Sequence, residues 1–280
     1  MKTKLVYFLI VGLLFGLSAC KESDPGENAP AIPEMNTLQM DFDQFPSDTT
    51  GTTSNSTLSS QSLTAQATPT YQNFIQATAQ VTVWSSLLKI GLAVPVAAFR
   101  ESFRHPADLR SDNVWVWSYA VKLNGIIHTV ELHATVSEDV IDWNLYVTKP
   151  GSYLDFNWIS GVSNRDGSGG SWLIYESPES PQPLLDIQWT RDTQSRVAQV
   201  TYTNVRPNDA ENGGYISYGI NDNSDYNAYF DIYQKSAGNL IEIDWNRFLH
   251  NGRIKNPAFY NDMDWHYWNT LLQDETPVVP

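Results

Sequence analysis

The chain reads as mainly β: an antiparallel meander of about ten strands, forming a barrel or a curled sheet around a buried helix, with a further helix at the C-terminus. Three observations lead there. Four segments between residues 113 and 246 share one spelling, Ile141-x-Trp143-x-Leu145, Leu154-x-Phe156-x-Trp158, Leu185-x-Ile187-x-Trp189 and Ile241-x-Ile243-x-Trp245. In each an acid (Asp142, Asp155, Asp186, Glu242) separates apolar residues, the period of two that sends alternate side chains to opposite faces of a strand. The links are short and polar, such as Asn164-Arg165-Asp166-Gly167 and Asn212-Gly213-Gly214, too short for the crossovers that parallel strands need. Finally, a stretch poor in charge, Tyr71 to Phe103, repeats apolar residues at mostly helical spacing and is expected to lie against the apolar face of the sheet.

At the N-terminus, Lys2 and Lys4 precede an apolar run from Leu5 to Gly16, followed by Leu17-Ser18-Ala19-Cys20. This is the layout of a secretory leader, and the run is too short to compete well as a spanning helix. Leu-Ser-Ala-Cys resembles the lipobox of bacterial lipoproteins. That resemblance implies removal of residues 1–19 as a signal peptide and acylation of Cys20 at its thiol and its new amino group. Each buried methylene contributes about 0.8 kcal/mol, and two or more chains anchor a protein stably, so the membrane partner is reached through this lipid. Lys21-Glu22-Ser23-Asp24 resembles the acidic export signal that follows the lipidated cysteine in lipoproteins of Bacteroidota. It implies an outer-membrane lipoprotein of the cell envelope carried to the surface, although the same charges also suit a solvated spacer.

Cys20 is the only cysteine, which excludes an intramolecular disulfide and a cysteine-based zinc site. Lys and Arg number 17 against 31 Asp and Glu, a formal charge of −14 that becomes more negative when Lys2 and Lys4 leave with the leader. So acidic a surface repels nucleic acid and anionic lipid head groups, and cations or neutral polymers fit it better.

The segment from residue 20 to 68 reads as a tether. Leu38-x-Met40-x-Phe42 alternates with Gln39, Asp41 and Asp43, predicting a short strand near 37–43. Residues 47–68 are dominated by Ser, Thr, Gly, Gln and Asn, a composition that cannot offset the entropy of ordering. A single β-rich domain spans 69–273. Its helical part, 71–103, is interrupted at Gly91 and Pro95. Trp115, Trp117, Tyr119, Val121 and Leu123 then share a strand face, and Asn124-Gly125 is the signal of a type I′ hairpin turn. After the return strand ending at Val136, strands are read near 140–148, 153–160, 171–176, 184–190, 196–204, 215–220, 226–234 and 240–247. Asn256-Pro257 predicts a helix over 257–272 with Met263, Tyr267, Trp268, Leu271 and Leu272 as its apolar stripe, and 274–280 is a tail.

No motif assigns chemistry outright. Gly167-Ser168-Gly169-Gly170 lacks the spacing of a nucleophile elbow. His128 and His133, five apart on one strand, point to opposite faces and cannot share a metal. Asn221-Asp222-Asn223-Ser224-Asp225 lacks the glycine and the closing glutamate of an EF-hand loop. No cofactor or metal is expected. Asp142, Asp155, Asp186, Asp231, Glu242 and Asp244 project from the face opposite the tryptophans, where acids are ordinarily solvated but where two at the right spacing can hydrolyse a glycoside. Tyr146, Tyr153, Tyr229 and Tyr233 fall on the same polar face, and tyrosine rings beside amides and carboxylates can stack on sugars and bind their hydroxyls. Tyr229, Tyr233, Asp231 and Tyr146 are therefore the candidate ligand-binding residues. The leading expectation is a non-catalytic binding or structural lipoprotein holding an apolar or amphipathic, lipid-like ligand between the sheet and the 71–103 helix, in a layout similar to lipocalins and lipoprotein carriers. A surface glycan-binding module and a glycosidase-like enzyme are the alternatives.

The lipobox yields a direct prediction. Cells fed an alkyne analogue of palmitate incorporate it into this chain, and Cys20→Ala removes the label. Label that survives the substitution contradicts the assignment.

Overall fold

In the computed structural model, which describes residues 28–40, 42, 45, 69–123, 125–192 and 198–276, the strands follow one another across one sheet in chain order. They are β1 (Asp108–Leu109), β2 (Val114–Leu123), β3 (Ile126–Val136), β4 (Val140–Lys149), β5 (Tyr153–Asn164), β6 (Gly169–Ser177), β7 (Ser180–Arg191), β8 (Ala198–Asn204), β9 (Tyr215–Ile220), β10 (Ala228–Gln234), β11 (Asn239–Trp245), β12 (Gly252–Lys255), β13 (His266–Trp268) and β14 (Asp274–Glu275). Every pair is antiparallel, as the short links require, and the order has no crossover.

The expected closure does not occur. β1 pairs with β2 and β14 with β13, and the two edges do not pair with each other, so the sheet is open and is neither a barrel nor curled around a helix. Both edge strands are two residues long and carry acids, which leaves few ladder groups to recruit another strand and makes the edges repel. The count is also larger than the expected ten. The additional strands, β1 and β12 to β14, have four residues or fewer, too few to show a period of two.

The helices lie across the strands. α1 (Gln72–Gly91) starts at β14, where the Asp274 carboxylate accepts from the backbone N–H of Gln72 (3.0 Å) and Asn73 (2.9 Å). That carboxylate supplies the N-terminal cap that Tyr71 cannot provide. The far end of α1 reaches β7, where Gly91 lies against Leu184. Its 20 residues cover roughly 30 Å, close to the roughly 34 Å of seven strand spacings. α2 (Ala93–Ser102) turns away from α1 by 70° and continues over the remaining strands, with Pro95 tolerated in its first turn. The Tyr119 hydroxyl on β2 donates to the carbonyl of Ala98 (2.7 Å), and Phe99 meets Trp172 of β6 edge-on at 5.5 Å. Among the described residues no single helix is long and apolar enough to cross a membrane.

Beneath this strap Trp143, Trp172, Trp245, Trp268, Phe74, Phe99 and Phe230 are all fully buried. Residues 28–40 with Phe42 and Phe45 complete the cover. Phe45 packs among Phe74, Phe230, Trp245 and Trp268, and the Trp172 indole N–H donates to Thr37 (3.2 Å). Where a strand near 37–43 was expected, a 3-10 turn over Met35–Thr37 is found. It drops Leu38 and Met40 into the core without lending a strand to the sheet.

Two further expectations change. The helix over 257–272 shrinks to α3 (Pro257–Tyr260), ended by Asn261 in the left-handed region. The proposed stripe fails because Met263 and Leu271 are 70% and 68% exposed, while Trp268 belongs to β13. On β5, Leu145 pairs with Ile159 but Tyr146 with Asn157, leaving Trp158 as the extra residue of a bulge. Trp158 and Ile159 are consequently buried side by side, and Leu154, expected inside, is 78% exposed. The leader, Cys20 and residues 47–68 lie outside the described residues.

Close aromatic packing needs glycine beneath it. A Cβ on Gly161 would stand 2.4 Å from both the Ser171 carbonyl oxygen and the Trp172 ring. Gly161→Ala is therefore expected to cost about 1–3 kcal/mol through overpacking, seen as a lower urea midpoint. An unchanged midpoint contradicts this packing.

Candidate functional site

On the uncovered face of the sheet, antiparallel register lines side chains into rows across β8 to β13. One row runs Gln199, Gly219, Tyr229, Asp244, Arg253 and Tyr267. The next runs Thr201, Ser217, Asp231, Glu242 and Lys255. Directly opposed side chains stand about 4.5–5.5 Å apart at Cβ, so these rows form one continuous patch.

The patch is built around two aromatic rings held in fixed poses. Tyr229 lies flat on Gly219, its ring occupying the space a Cβ would take, within 2.2–2.3 Å of that position. Only glycine at 219 allows this, and it fixes the ring's orientation. Trp265, just before β13, lies over two cations, the Arg253 guanidinium at 4.0 Å and the Lys255 ammonium at 4.5 Å. The Arg253 guanidinium also lies over the ring of Tyr226, in the β9–β10 link, at 4.7 Å.

The charges between the rings are partly matched. Arg253 bonds Asp244 at 2.7 Å and Lys255 bonds Glu242 at 2.9 Å. Asp231 has no cation among the described residues; its cross-strand neighbours are Ser217 and Glu242. Burial, reinforced by the charges of Glu242 and Asp244, lifts its carboxyl to about 6. Asp244 is raised as well, burial outweighing the bond from Arg253. Burial followed by the neighbouring Asp231 charge raises the Tyr229 hydroxyl. Below them Ser217 accepts from Gln199 and Thr201, both at 2.9 Å, which locks the floor of the patch.

Of the four residues singled out in the sequence, Tyr229, Asp231 and Tyr233 share this face of β10, where Tyr233 pairs its ring with Tyr215 at 5.7 Å. Tyr146 stands apart on β4, six strands or roughly 29 Å away, edge-on to His133 beside a separate Arg110–Glu131–His133 cluster. Sequence reasoning missed Trp265, Tyr226, Arg253 and Lys255. Arg253-x-Lys255 alternates two cations against Asp244 and Glu242, and that pattern was the available signal. Among the described residues no three His, Cys, Asp or Glu side chains are grouped to hold a metal. The remaining strand acids, Asp142, Asp155 and Asp186, lie on β4, β5 and β7, away from the patch.

Comparison with protein-family models, curated proteins and solved structures finds no match to the chain.

The proton affinity of Asp231 has a measurable consequence. Its carboxyl holds a proton more tightly in the fold, at about 6, than in the unfolded chain, at about 3.9. The stability it contributes is therefore greatest below the unfolded value and is lost as pH rises through the folded one. Asp231→Asn is expected to raise the urea midpoint at pH 7.5 and to leave it unchanged at pH 4. A destabilised variant at pH 7.5 contradicts the assignment.

Proposed function

We propose that this chain is a lipid-anchored cell-envelope protein with a non-catalytic binding role, and that the patch on β9 to β13 recognises carbohydrate. The observation that carries the reading is the pair of fixed rings, Tyr229 on Gly219 and Trp265 on Arg253 and Lys255, with carboxylate, ammonium and guanidinium groups between them. Rings already locked in place lose little entropy when a sugar stacks on them. Acceptors on Asp231 and Asp244 and donors on Lys255 and Arg253 match the hydroxyls around a sugar ring. A neutral polymer also suits a chain of charge −14, which would repel an anionic one. Anchoring through Cys20 would place this face outside the cytoplasm, where polysaccharide is met.

A second reading is favoured by one feature, the direct opposition of Asp231 and Glu242. A carboxyl whose proton affinity is raised toward neutrality beside one bonded to Lys255 is the arrangement from which glycoside hydrolysis proceeds. Asp231 would then be the acid. The two readings part on turnover, since the second requires new reducing ends from a bound oligosaccharide.

On a glycan array the purified protein is expected to bind a restricted set of neutral oligosaccharides. Tyr229→Ala combined with Trp265→Ala should lower affinity at least tenfold, and Tyr146→Ala should leave it unchanged. Binding that survives the double substitution, or is lost with Tyr146, contradicts the assignment.

A further inference from the structure

A second opening lies on the other face of the sheet, where residues 35–40 and Phe42 pass the bend between α1 and α2. Met35, Met40, Leu88, Leu92 and Val96 wall a cleft of about 350 Å³, and Tyr202 of β8 lies among its lining residues. That volume is at the low end of the about 300–1,000 Å³ usual for small-molecule pockets, room for one aliphatic chain rather than two. The two methionines can adapt their side chains to a flexible chain.

The polar groups at this cleft are two cations, the amides of Asn36 and Gln39, and the Tyr202 hydroxyl. Lys89 and Arg100 belong to its lining and both are exposed. Arg100 donates to the neutral amide of Gln39 at 2.7 Å, and among the described residues neither cation is paired with a carboxylate. In a chain with 31 acids against 17 basic residues, the lining of this cleft holds, among the described residues, two cations and no acid. The Tyr202 hydroxyl is buried beside the Met40 backbone.

We infer that this cleft binds a single-chain anionic amphiphile, of which a long-chain fatty acid is the simplest. The chain lies along Met35, Met40, Leu92 and Val96, and the carboxylate meets Arg100 and Lys89. The site lies on the opposite face from the carbohydrate patch and does not depend on that reading.

Photocrosslinking tests it on the full, membrane-anchored chain in isolated envelopes, with diazirine-bearing palmitic acid as the probe and the matching long-chain alcohol as the control. Expected are crosslinks in the peptides holding residues 35–40 and 88–100, with the acid labelling at least fivefold more than the alcohol. Ala93→Trp, a substitution at an exposed position on the lining, should lower labelling by both probes at least tenfold. Arg100→Gln should remove most of the preference for the acid while sparing the alcohol. Circular dichroism matching that of the unsubstituted chain ensures that loss of label reports the cleft. Crosslinks elsewhere, equal labelling by the two probes, or labelling undiminished by Ala93→Trp would overturn the inference.

Discussion

The structure depends on burying one aromatic-rich face of an open sheet under a helical strap. A sheet closed into a barrel covers its own interior. This one has free edges, so the indoles of Trp143, Trp172, Trp245 and Trp268 leave water only because α1, α2, residues 28–40, Phe42 and Phe45 lie over them. The strap is fastened near both edges by polar contacts: Asp274 caps the start of α1, and Tyr119 bonds the carbonyl of Ala98 near the end of α2. The Asp274 cap joins residues separated by 202 positions. The first helix therefore acquires its N-terminal partner only once the last strand is in place.

That division of labour decides where recognition can occur. The covered face is filled by side chains except beside the bend between α1 and α2, where the cleft opens. Across β8 to β13 the uncovered face carries every second residue, and the simple meander keeps these neighbouring strands in register. Residues far apart in sequence, from Gln199 to Tyr267, thus fall into rows. The same geometry separates Tyr146 from Tyr229, since each intervening strand adds one lateral spacing. Composition put both tyrosines on the polar face. Strand order decides that only one belongs to the patch.

Much of the sheet was legible because strands of six or more residues show alternation, as in the Ile-x-Trp-x-Leu segment of β4 and the Ile-x-Ile-x-Trp segment of β11. Antiparallel pairing followed from link length. Closure was not legible, because it depends on whether the first and last strands meet, and at two residues each those strands leave no trace in a periodic pattern. The helix expected over 257–272 failed for a related reason. Met263, Tyr267 and Leu271 recur at a helical interval by coincidence, while Trp265 and Tyr267 obey the period of two that governs β13. The bulge at Trp158 broke an otherwise regular alternation, a local event that residue types alone do not announce. In the patch, β10 was readable from its own sequence, but Gly219 and Trp265 matter only through strands that pair in space.

The most direct test of the account is an NMR titration of the protein with an oligosaccharide selected on the array, following the indole N–H signals of its tryptophans. The account predicts that Trp265 shifts with saturation while Trp143, Trp172, Trp245 and Trp268, sealed beneath the strap, stay in place. Movement of the buried indoles with Trp265 unchanged, or no oligosaccharide that binds, would contradict it.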